Sequence, residues 1–368
     1  MEPVGDRQSA LVTHVVGARP NFPKVAPVVR NLPRCGIRQK LVHTGQHYDD
    51  ALSESFFRDL DLPRPDVNLG VGSGTHAQQT AALLTAIEAE VRSTRPALLV
   101  VYGDINSTLA AALVASKLGI PLAHVEAGLR SFDRSMPEEI NRVVTDRLSD
   151  LLFTTSPEAA ENLSREGITE GKVHFVGNPM IDTLLKHRDM FDPQSALKKF
   201  GVEGEYAVAT LHRPANVDDP ESAAGLVTAL QKASDLIPVV LPLHPRGRAS
   251  LSAQGLTELG NVTVIDPLGY IDFLSMVSGA RAVITDSGGV QEETTMLGIP
   301  CLTMRTNTER PVTITTGTNR LVAPSNLAEV LNGVISGQFE SPSQQPPLWD
   351  GNAGERISAV ISDWIQRP

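Results

Sequence analysis

Charged and polar side chains suited to acid/base chemistry or phosphate binding follow apolar runs at six places in the sequence. In the first half they are Arg19 after Leu11–Val16, Asp104 after Ala97–Tyr102 and Glu126 after Pro121–Val125. In the second half they are His212 after Ala207–Leu211, His244 after Val239–Leu243 and Asp286 after Ala282–Thr285. Ligands bind outside the carboxyl ends of the strands in open parallel sheets. If these runs are strands, the six positions predict an interdomain active site to which both halves contribute.

Asp104 and Glu126 form the pair best placed for acid/base catalysis. They follow consecutive strand candidates, which are usually neighbours in a sheet, so both carboxylates are expected to face one crevice. Two carboxylates in one crevice perturb each other's pKa, as acid/base work requires. Asp104 has an alternative role as the N-cap of a helix that starts near Ser107. Glu126, which is followed by Ala-Gly, has no such capping role.

Glu138 and Glu139 follow Pro137 and are typical of first-turn acids, which interact favourably with the helix dipole. This interpretation fits Glu139 better than Glu138, which stays a candidate acid. His212 precedes an Arg-Pro pair, where the chain turns sharply, and an imidazole there can polarise or protonate a leaving group. A buried structural histidine is the usual alternative.

A glycine turn after Asp286 has the composition of a phosphate site, and its residues are Ser287, Gly288 and Gly289. The turn opens a helix predicted over Val290–Leu297, whose first N–H groups and positive end attract phosphate. For a bare Gly-Gly pair, a turn that needs glycine only for its backbone angles is the more common explanation. Glu292 and Glu293 lie one turn into the helix, where an acid reaches ribose hydroxyls, and they favour a nucleotide.

Arg19 lies among small residues after the first strand, where a guanidinium can clamp a diphosphate through two hydrogen bonds. Lys24 adds a point charge, although an ordinary surface-loop arginine explains position 19 equally well. The first strand is not followed by GxGxxG, and GxxxxGK[ST] does not occur, which argues against an NAD site and a P-loop. The nine histidines show no metal-like spacing.

Short apolar runs alternate with longer helical patterns almost from end to end, which predicts parallel sheets covered on both faces. The remaining strand candidates are Lys40–Thr44, Leu151–Thr155, Val173–Val176, Val262–Ile265 and Cys301–Met304, and the helical segments include Thr75–Ser93 and Pro220–Ser234. The predicted fold class is α/β, with two Rossmann-like domains around a cleft. A polar break over Asp189–Glu205 places the domains at residues 1–190 and 191–352, and a final helix at residues 353–368 is expected to pack on the first domain.

At 368 residues the chain suits two domains of ordinary size. Its net charge of -10 disfavours nucleic acid and anionic membranes as partners, but a few arginines in a cleft still permit an anionic small molecule. No apolar run approaches the length of a membrane span, and residues 1–7 lack the features of a signal peptide. With only Cys35 and Cys301, a disulfide framework is not expected, and the predicted location is the cytoplasm.

Several motifs together resemble the non-hydrolysing UDP-N-acetylglucosamine 2-epimerases, in order from about residue 11 to 330. They begin at Gly17 (GARPNF), Thr44 (TGQHYD), Tyr102 (YGD), His124 (HVEAGLR), Met136 (MPEEINR), Asp286 (DSGGVQEE) and Thr308 (TERP). Three positions depart from the family pattern. Tyr48 and Pro214 stand where members that are activated by a second UDP-GlcNAc carry arginine, and Leu268 replaces a glutamine. The resemblance therefore implies activity without that activator.

The resemblance implies a glycosyltransferase-B-like fold, a homodimer, and no metal or organic cofactor. It implies elimination of UDP across C1–C2 to a 2-acetamidoglucal, followed by re-addition of UDP with protonation at C2 from the other face. By position, the implied catalytic residues are Asp104, Glu126, Glu138 and His212. The implied UDP contacts are Arg19, Lys24, Phe273, Ser287, Gly288, Gly289, Glu293 and Arg310.

Four alternatives stay open at this point. A glycosyltransferase that uses a UDP-sugar would need an acceptor site, and a hydrolysing epimerase would let water reach the intermediate and release free ManNAc. A related epimerase of UDP-diacetamido-glucuronate has similar motifs around Thr44–Asp49. A sugar-nucleotide sensor without activity would keep Arg19 and the glycine turn but could lose the carboxylates, all of which are present.

Overall fold

The computed structural model describes residues 10–45, 56–213, 216, 219–243, 245–340 and 344–367. The chain divides into two compact units: Met1–Lys186 together with Pro347–Pro368, and His187–Pro346. The predictions for residues 1–7, for 46–49 with Tyr48, for Pro214 and for His244 lie outside the described residues.

The first unit is built on a parallel sheet. Its strands are β1 (Leu11–Val16), β2 (Arg38–His43), β3 (Val67–Asn68), β4 (Leu98–Tyr102), β5 (Leu122–Ala127), β6 (Leu151–Thr154) and β7 (Val173–Phe175). The strand order is β3-β2-β1-β4-β5-β6-β7, and every pairing is parallel. The succession of strands reverses between β1 and β4, which is where Rossmann-like sheets bind their ligands.

The second unit repeats this plan with six strands. They are β8 (Ala207–Thr210), β9 (Val239–Pro242), β10 (Val262–Ile265), β11 (Ala282–Thr285), β12 (Cys301–Thr303) and β13 (Asn319–Leu321). The order is β10-β9-β8-β11-β12-β13, again with parallel pairing throughout. The reversal therefore falls between β8 and β11, whose carboxyl ends carry His212 and Asp286.

Helices connect the strands of both sheets. In the first unit they are α1 (Phe22–Asn31), α2 (His76–Thr94), α3 (Asn106–Leu118), α4 (Pro137–Leu148), α5 (Pro157–Arg165) and α6 (Pro179–His187). From there on they are α7 (Pro193–Phe200), α8 (Pro220–Ser234), α9 (Pro245–Ser252), α10 (Tyr270–Ser278), α11 (Gly288–Leu297), α12 (Val312–Thr315), α13 (Leu327–Ile335) and α14 (Ala353–Gln366). Within the described part of the chain, no helix combines the length and apolar character needed to cross a membrane.

Local sequence explains the start and the buried face of α2, which packs on α3. Thr75 and Gln78 form a capping box at the start of α2, which satisfies two of its first N–H groups. Leu83, Ile87 and Val91 recur every four residues, so they lie on one face and pack into the core of the first sheet.

The last helix, α14, belongs to the first unit and packs on α1. Asp182 of α6 accepts hydrogen bonds from the N–H groups of Ala353 (3.1 Å) and Gly354 (2.7 Å), which caps the helix. Gly354 lies so close to α1 that a Cβ there would come within 2.6 Å of the Pro27 Cβ. The C-terminal segment therefore supports the helix that carries Lys24.

The predicted α/β class with two parallel Rossmann-like sheets is confirmed. All eleven predicted strands are present with ends within two residues of the prediction. β3 and β13 were missed because they have only two and three residues and carry few buried side chains. Two ends differ by two residues: β2 begins at Arg38 rather than Lys40, and β5 continues past the predicted end at Val125 through Glu126 to Ala127.

Candidate active site

Glu126 lies within β5 at a break in the sheet register. The pairing between β5 and β6 shifts between Val125 and Ala127, and Glu126 has a φ angle of +77°. A non-glycine residue in this left-handed region is strained by about 1–3 kcal/mol, and such strain is concentrated at functional sites. The irregularity sets the direction of the Glu126 side chain, and Glu126 is only 4 % exposed.

Lys24 of α1 forms a buried ion pair with Glu126. Gly103, at the end of the neighbouring strand β4, has a φ angle of +66°, and a Cβ there would lie 3.2 Å from both Glu126 Oε2 and Lys24 Nζ. Glycine is therefore needed at this position for both conformation and space. The geometry confirms that β4 and β5 are neighbours and brings Lys24 to the carboxylate.

Asp104 follows Gly103 and is about a quarter exposed. Its Oδ2 accepts a hydrogen bond from Arg142 Nη1 at 2.5 Å, and its carbonyl accepts one from Asn141 Nδ2 at 2.8 Å. The N-cap of α3 is Ile105, so the alternative role of Asp104 as the cap is wrong. The Asp104 carboxylate is instead held by a cation from α4.

Glu139 anchors that cation. Its carboxylate accepts hydrogen bonds from the N–H groups of Ser131 (3.0 Å) and Phe132 (2.9 Å) and from Arg142 Nη2 (2.6 Å). Burial would raise the pKa of Glu139, but these amides and the Arg142 guanidinium lower it below its usual value. Glu139 is thus more than a first-turn acid. Glu138 precedes it in the same turn and is half-buried.

His124 connects the two carboxylate-bearing strands, a role that sequence reasoning missed. Its Nε2 lies 2.8 Å from the Gly103 carbonyl, and its Nδ1 lies 2.6 Å from Asp146 Oδ1. Both partners are hydrogen-bond acceptors, so the ring links the Gly103 carbonyl to the Asp146 carboxylate. Burial would raise the pKa of Asp146, but the charges and hydrogen bonds of His124 and Arg130 lower it. Its sequence signals were the HVEAGLR motif, which begins at His124, and the two-residue spacing of His124 and Glu126 on one strand.

In the second unit, α11 begins at the glycine turn after β11. The Ser287 side chain makes no capping hydrogen bond within the described residues, so it does not occupy the first N–H groups of the helix. A Cβ at Gly288 would lie 2.4 Å from Arg310 Nη1 and 2.8 Å from Glu309 Oε1. Gly288 therefore lets Arg310 lie against the start of the helix, next to Gly289. This combination of amides and guanidinium suits a phosphate.

Arg310 is 5 % exposed and pairs with two acids, Glu309 and Glu292, the latter through Nε at 3.0 Å. Glu293 is also buried, and burial and then the charge of Glu293 raise the pKa of Tyr270. Phe273 lies one turn after Tyr270 on α10 and is half-buried. Within the described residues, buried acids of α11 and the adjacent Glu309 therefore accompany Arg310.

His212 follows β8 with a side chain that is 61 % exposed, and its Nδ1 lies 2.9 Å from Asp286 Oδ1. Arg19 follows β1 of the first unit and is half-buried in a single turn of 3-10 helix. The structure thus joins Lys24, Glu126 and Asp104 in the first unit, and His212, the glycine turn and Arg310 in the second. Among the described residues, no group of three or more His, Cys, Asp or Glu side chains is arranged to hold a metal ion.

A protein-family model described as UDP-N-acetylglucosamine 2-epimerase matches residues 31–362. The chain is 39 % identical over 358 residues to the UDP-N-acetylglucosamine 2-epimerase of Methanocaldococcus jannaschii, covering 95 % of this chain and 98 % of that protein. It is 44 % identical over 314 residues to the UDP-2,3-diacetamido-2,3-dideoxy-D-glucuronate 2-epimerase of Pseudomonas aeruginosa, covering 84 % and 87 %.

The crystal structure of the Methanocaldococcus jannaschii UDP-GlcNAc 2-epimerase in complex with UDP-GlcNAc and UDP has the same fold. It superposes with a TM-score of 0.89 at 39 % identity, over 96 % of this chain and 99 % of that one.

Proposed function

Because the chain belongs to the UDP-N-acetylglucosamine 2-epimerase family, we propose that it is an isomerase that interconverts UDP-N-acetylglucosamine and UDP-N-acetylmannosamine at C2. The observation that carries this proposal is the pair of carboxylates near the carboxyl ends of β4 and β5. Asp104 is held by Arg142 and Glu126 by Lys24, and both cations are nearly buried. A sensor without activity has no need for two acids in this arrangement.

The chemistry of the sugar explains why two acids are needed. The C2 proton is barely acidic, so the C1–O bond to UDP breaks first, with its electron pair moving to the diphosphate. Carboxylates stabilise the positive charge that develops at C1. One carboxylate then removes the C2 proton, which gives the 2-acetamidoglucal. UDP adds back at C1 as an acid protonates C2 from the other face. Asp104, Glu126 and Glu138 supply these groups in the proposal.

The second unit supplies the main diphosphate contacts in this proposal. The Ser287 hydroxyl, the first N–H groups of α11 at Gly288 and Gly289, and the adjacent Arg310 bind phosphate oxygens in this proposal, while Glu293 and Phe273 contact the nucleoside. His212 donates a hydrogen bond to the departing phosphate. Arg19 and Lys24 add positive charge from the first unit, where Lys24 already neutralises Glu126.

A second candidate substrate is UDP-2,3-diacetamido-2,3-dideoxy-D-glucuronate. The observation that favours it is the 44 % identity to the Pseudomonas aeruginosa enzyme of that name. The two substrates differ at C3 and C6 of the sugar, whereas the proposed chemistry at C1 and C2 is the same.

A proton NMR time course in D2O tests the reaction. Purified protein with UDP-GlcNAc is expected to form UDP-ManNAc, with deuterium at C2 of both sugars, and the Glu126→Gln variant is the matched control. Retention of hydrogen at C2 would contradict elimination and re-addition. Release of free ManNAc would show a hydrolysing enzyme instead. Turnover only of the diacetamido-glucuronate substrate would select the second candidate.

We also propose that the enzyme is a cytoplasmic homodimer, as the resemblance implies. Cys35 is exposed and Cys301 is buried, and both are free thiols, which fits a reducing compartment. Light scattering is expected to give twice the 39.4 kDa of one chain. A mass equal to one chain would contradict the dimer.

A further inference from the structure

Asp286 lies directly after β11 and is 0 % exposed. Its carboxylate accepts hydrogen bonds from the backbone N–H groups of His212 (3.0 Å) and Arg213 (2.9 Å) and from Asn216 Nδ2 (3.0 Å). The fourth neighbour is His212 Nδ1, at 2.9 Å. One buried acid therefore binds both the backbone and the ring of the histidine that the proposed function uses.

The chemistry of the two groups fixes the proton on the histidine ring. An ionised carboxylate only accepts hydrogen bonds, so the Nδ1 atom that faces it must carry hydrogen. Burial would raise the pKa of Asp286, but the hydrogen bond and charge of His212, the Arg213 N–H and Asn216 lower it, which keeps the acid ionised. The other ring nitrogen, Nε2, is left for a ligand.

We infer that Asp286 is a positioning residue, which fixes the ring orientation of His212, keeps Nδ1 protonated and presents Nε2 to the departing diphosphate. This inference rests on the proposed role of His212 in the reaction. The buried carboxylate also stabilises the imidazolium form, in which Nε2–H donates to a phosphate oxygen as negative charge develops there.

The tautomer can be measured in the unmodified enzyme. Protein labelled with 15N-histidine contains nine histidines, and the resonance that disappears in His212→Gln assigns the ring. The expected spectrum shows a protonated Nδ1 over the pH range in which the enzyme is active. An unprotonated Nδ1 with hydrogen on Nε2 would overturn the inference, whether or not any Asp286 variant folds.

Asp286→Asn tests the consequence for catalysis. The amide must keep its oxygen towards the Arg213 N–H, so its NH2 group faces Nδ1, which then becomes an acceptor and moves the hydrogen to Nε2. The Nε2–H of the variant can still donate a hydrogen bond, but the carboxylate charge that supports positive charge on the ring as the phosphate leaves is gone. We therefore expect kcat to fall by about 100-fold or more, with the Kd for UDP changed by no more than about twofold. The matched control is Asp235→Asn, an exposed acid of the same unit, which is expected to keep the wild-type rate.

The two variants distinguish the proposed role of His212 in the reaction from the positioning role of Asp286. If His212→Gln keeps its activity, the proposed role of His212 is wrong. If His212→Gln is inactive but Asp286→Asn keeps the wild-type kcat and tautomer, the proposed function stands and the positioning role of Asp286 is wrong.

Discussion

At the scale of single residues, the two candidate acids Glu126 and Asp104 differ in how much stability is lost when the ion pair with their cation is broken. Glu126 and Lys24 are both nearly buried, whereas Asp104 is about a quarter exposed beside the buried Arg142. Breaking a buried pair by removing one charge costs about 3–5 kcal/mol, because the other charge stays buried without its partner. Water can reach Asp104 and reduce that cost.

We therefore expect Glu126→Gln and Asp104→Asn to lower kcat by roughly two or more decades, but to differ in stability. Calorimetry is expected to show a larger fall in Tm for Glu126→Gln. The Kd for UDP should stay nearly unchanged in both variants, while Arg19→Ala should weaken UDP binding by about tenfold or more. Isothermal titration measures the binding, and an equal binding defect in all three variants would contradict this division of roles.

The sequence identified Asp104 and Glu126 as candidate acids but did not identify the residue that holds Asp104 or the acid that holds His212. Asp104 and Glu126 were recognisable because each follows an apolar run. Arg142 reaches Asp104 across 38 positions, and Asp286 reaches His212 across 74. Contacts of this kind depend on which strands and helices become neighbours, which neither periodicity nor local spacing specifies.

At the scale of elements, the apolar runs predicted that the strands exist more accurately than they predicted where each strand begins and ends. Apolar runs define the buried strands because every side chain of β4 and β5 is buried. The bulge at Glu126 was not predictable, because an acid normally ends an apolar run and here it lies inside the strand. Tertiary packing, including the ion pair with Lys24, outweighs the local preference at this position.

The docking of α14 on α1 gives a prediction at this scale. Gly354→Ala would place a methyl group 2.6 Å from the Pro27 Cβ and 2.8 Å from its carbonyl carbon, so we expect a loss of about 1–3 kcal/mol of unfolding free energy. Both tryptophans, Trp349 and Trp364, lie in the C-terminal segment of the first unit, so tryptophan fluorescence in urea reports that unit.

The matched control makes the same change at an open position. Gly333 lies in α13 of the second unit, and its added Cβ meets no atom within 4 Å, so Gly333→Ala should leave the fluorescence transition unchanged. It should raise the stability of the second unit by about 0.5–1 kcal/mol, because alanine favours helix. Equal fluorescence transitions for wild type and Gly354→Ala would show that α14 does not pack as described.

At the scale of the whole molecule, buried acids with lowered and with raised pKa values make the stability of the folded protein depend on pH in opposite directions. Asp146, Glu139 and Asp286 have lowered pKa values, so their contribution is complete above about pH 5 and is lost as the pH falls through the folded-state values. Burial raises the pKa of Asp182 from 3.8 to about 6, despite the Gly354 and Ala353 N–H groups. Its charged form therefore destabilises the folded protein above about pH 6, and that cost disappears as the pH falls towards 4.

Asp182→Asn isolates this last contribution, because the amide does not titrate. Other groups change over the same range, including His14, whose pKa burial lowers from 6.5 to about 4, so only the difference between wild type and variant is informative. A shift from 3.8 to about 6 corresponds to roughly 3 kcal/mol, at about 1.4 kcal/mol for each pKa unit. We expect the stability advantage of the wild type over Asp182→Asn to grow by about 2 kcal/mol as the pH falls from about 7.5 to 4.5, because about 1.5 of these pKa units lie above pH 4.5. Tryptophan-monitored urea unfolding at these two pH values measures it, since Asp182 and both tryptophans belong to the first unit. An advantage that stays constant or shrinks would show that the capping hydrogen bonds to α14 outweigh the burial of this carboxylate.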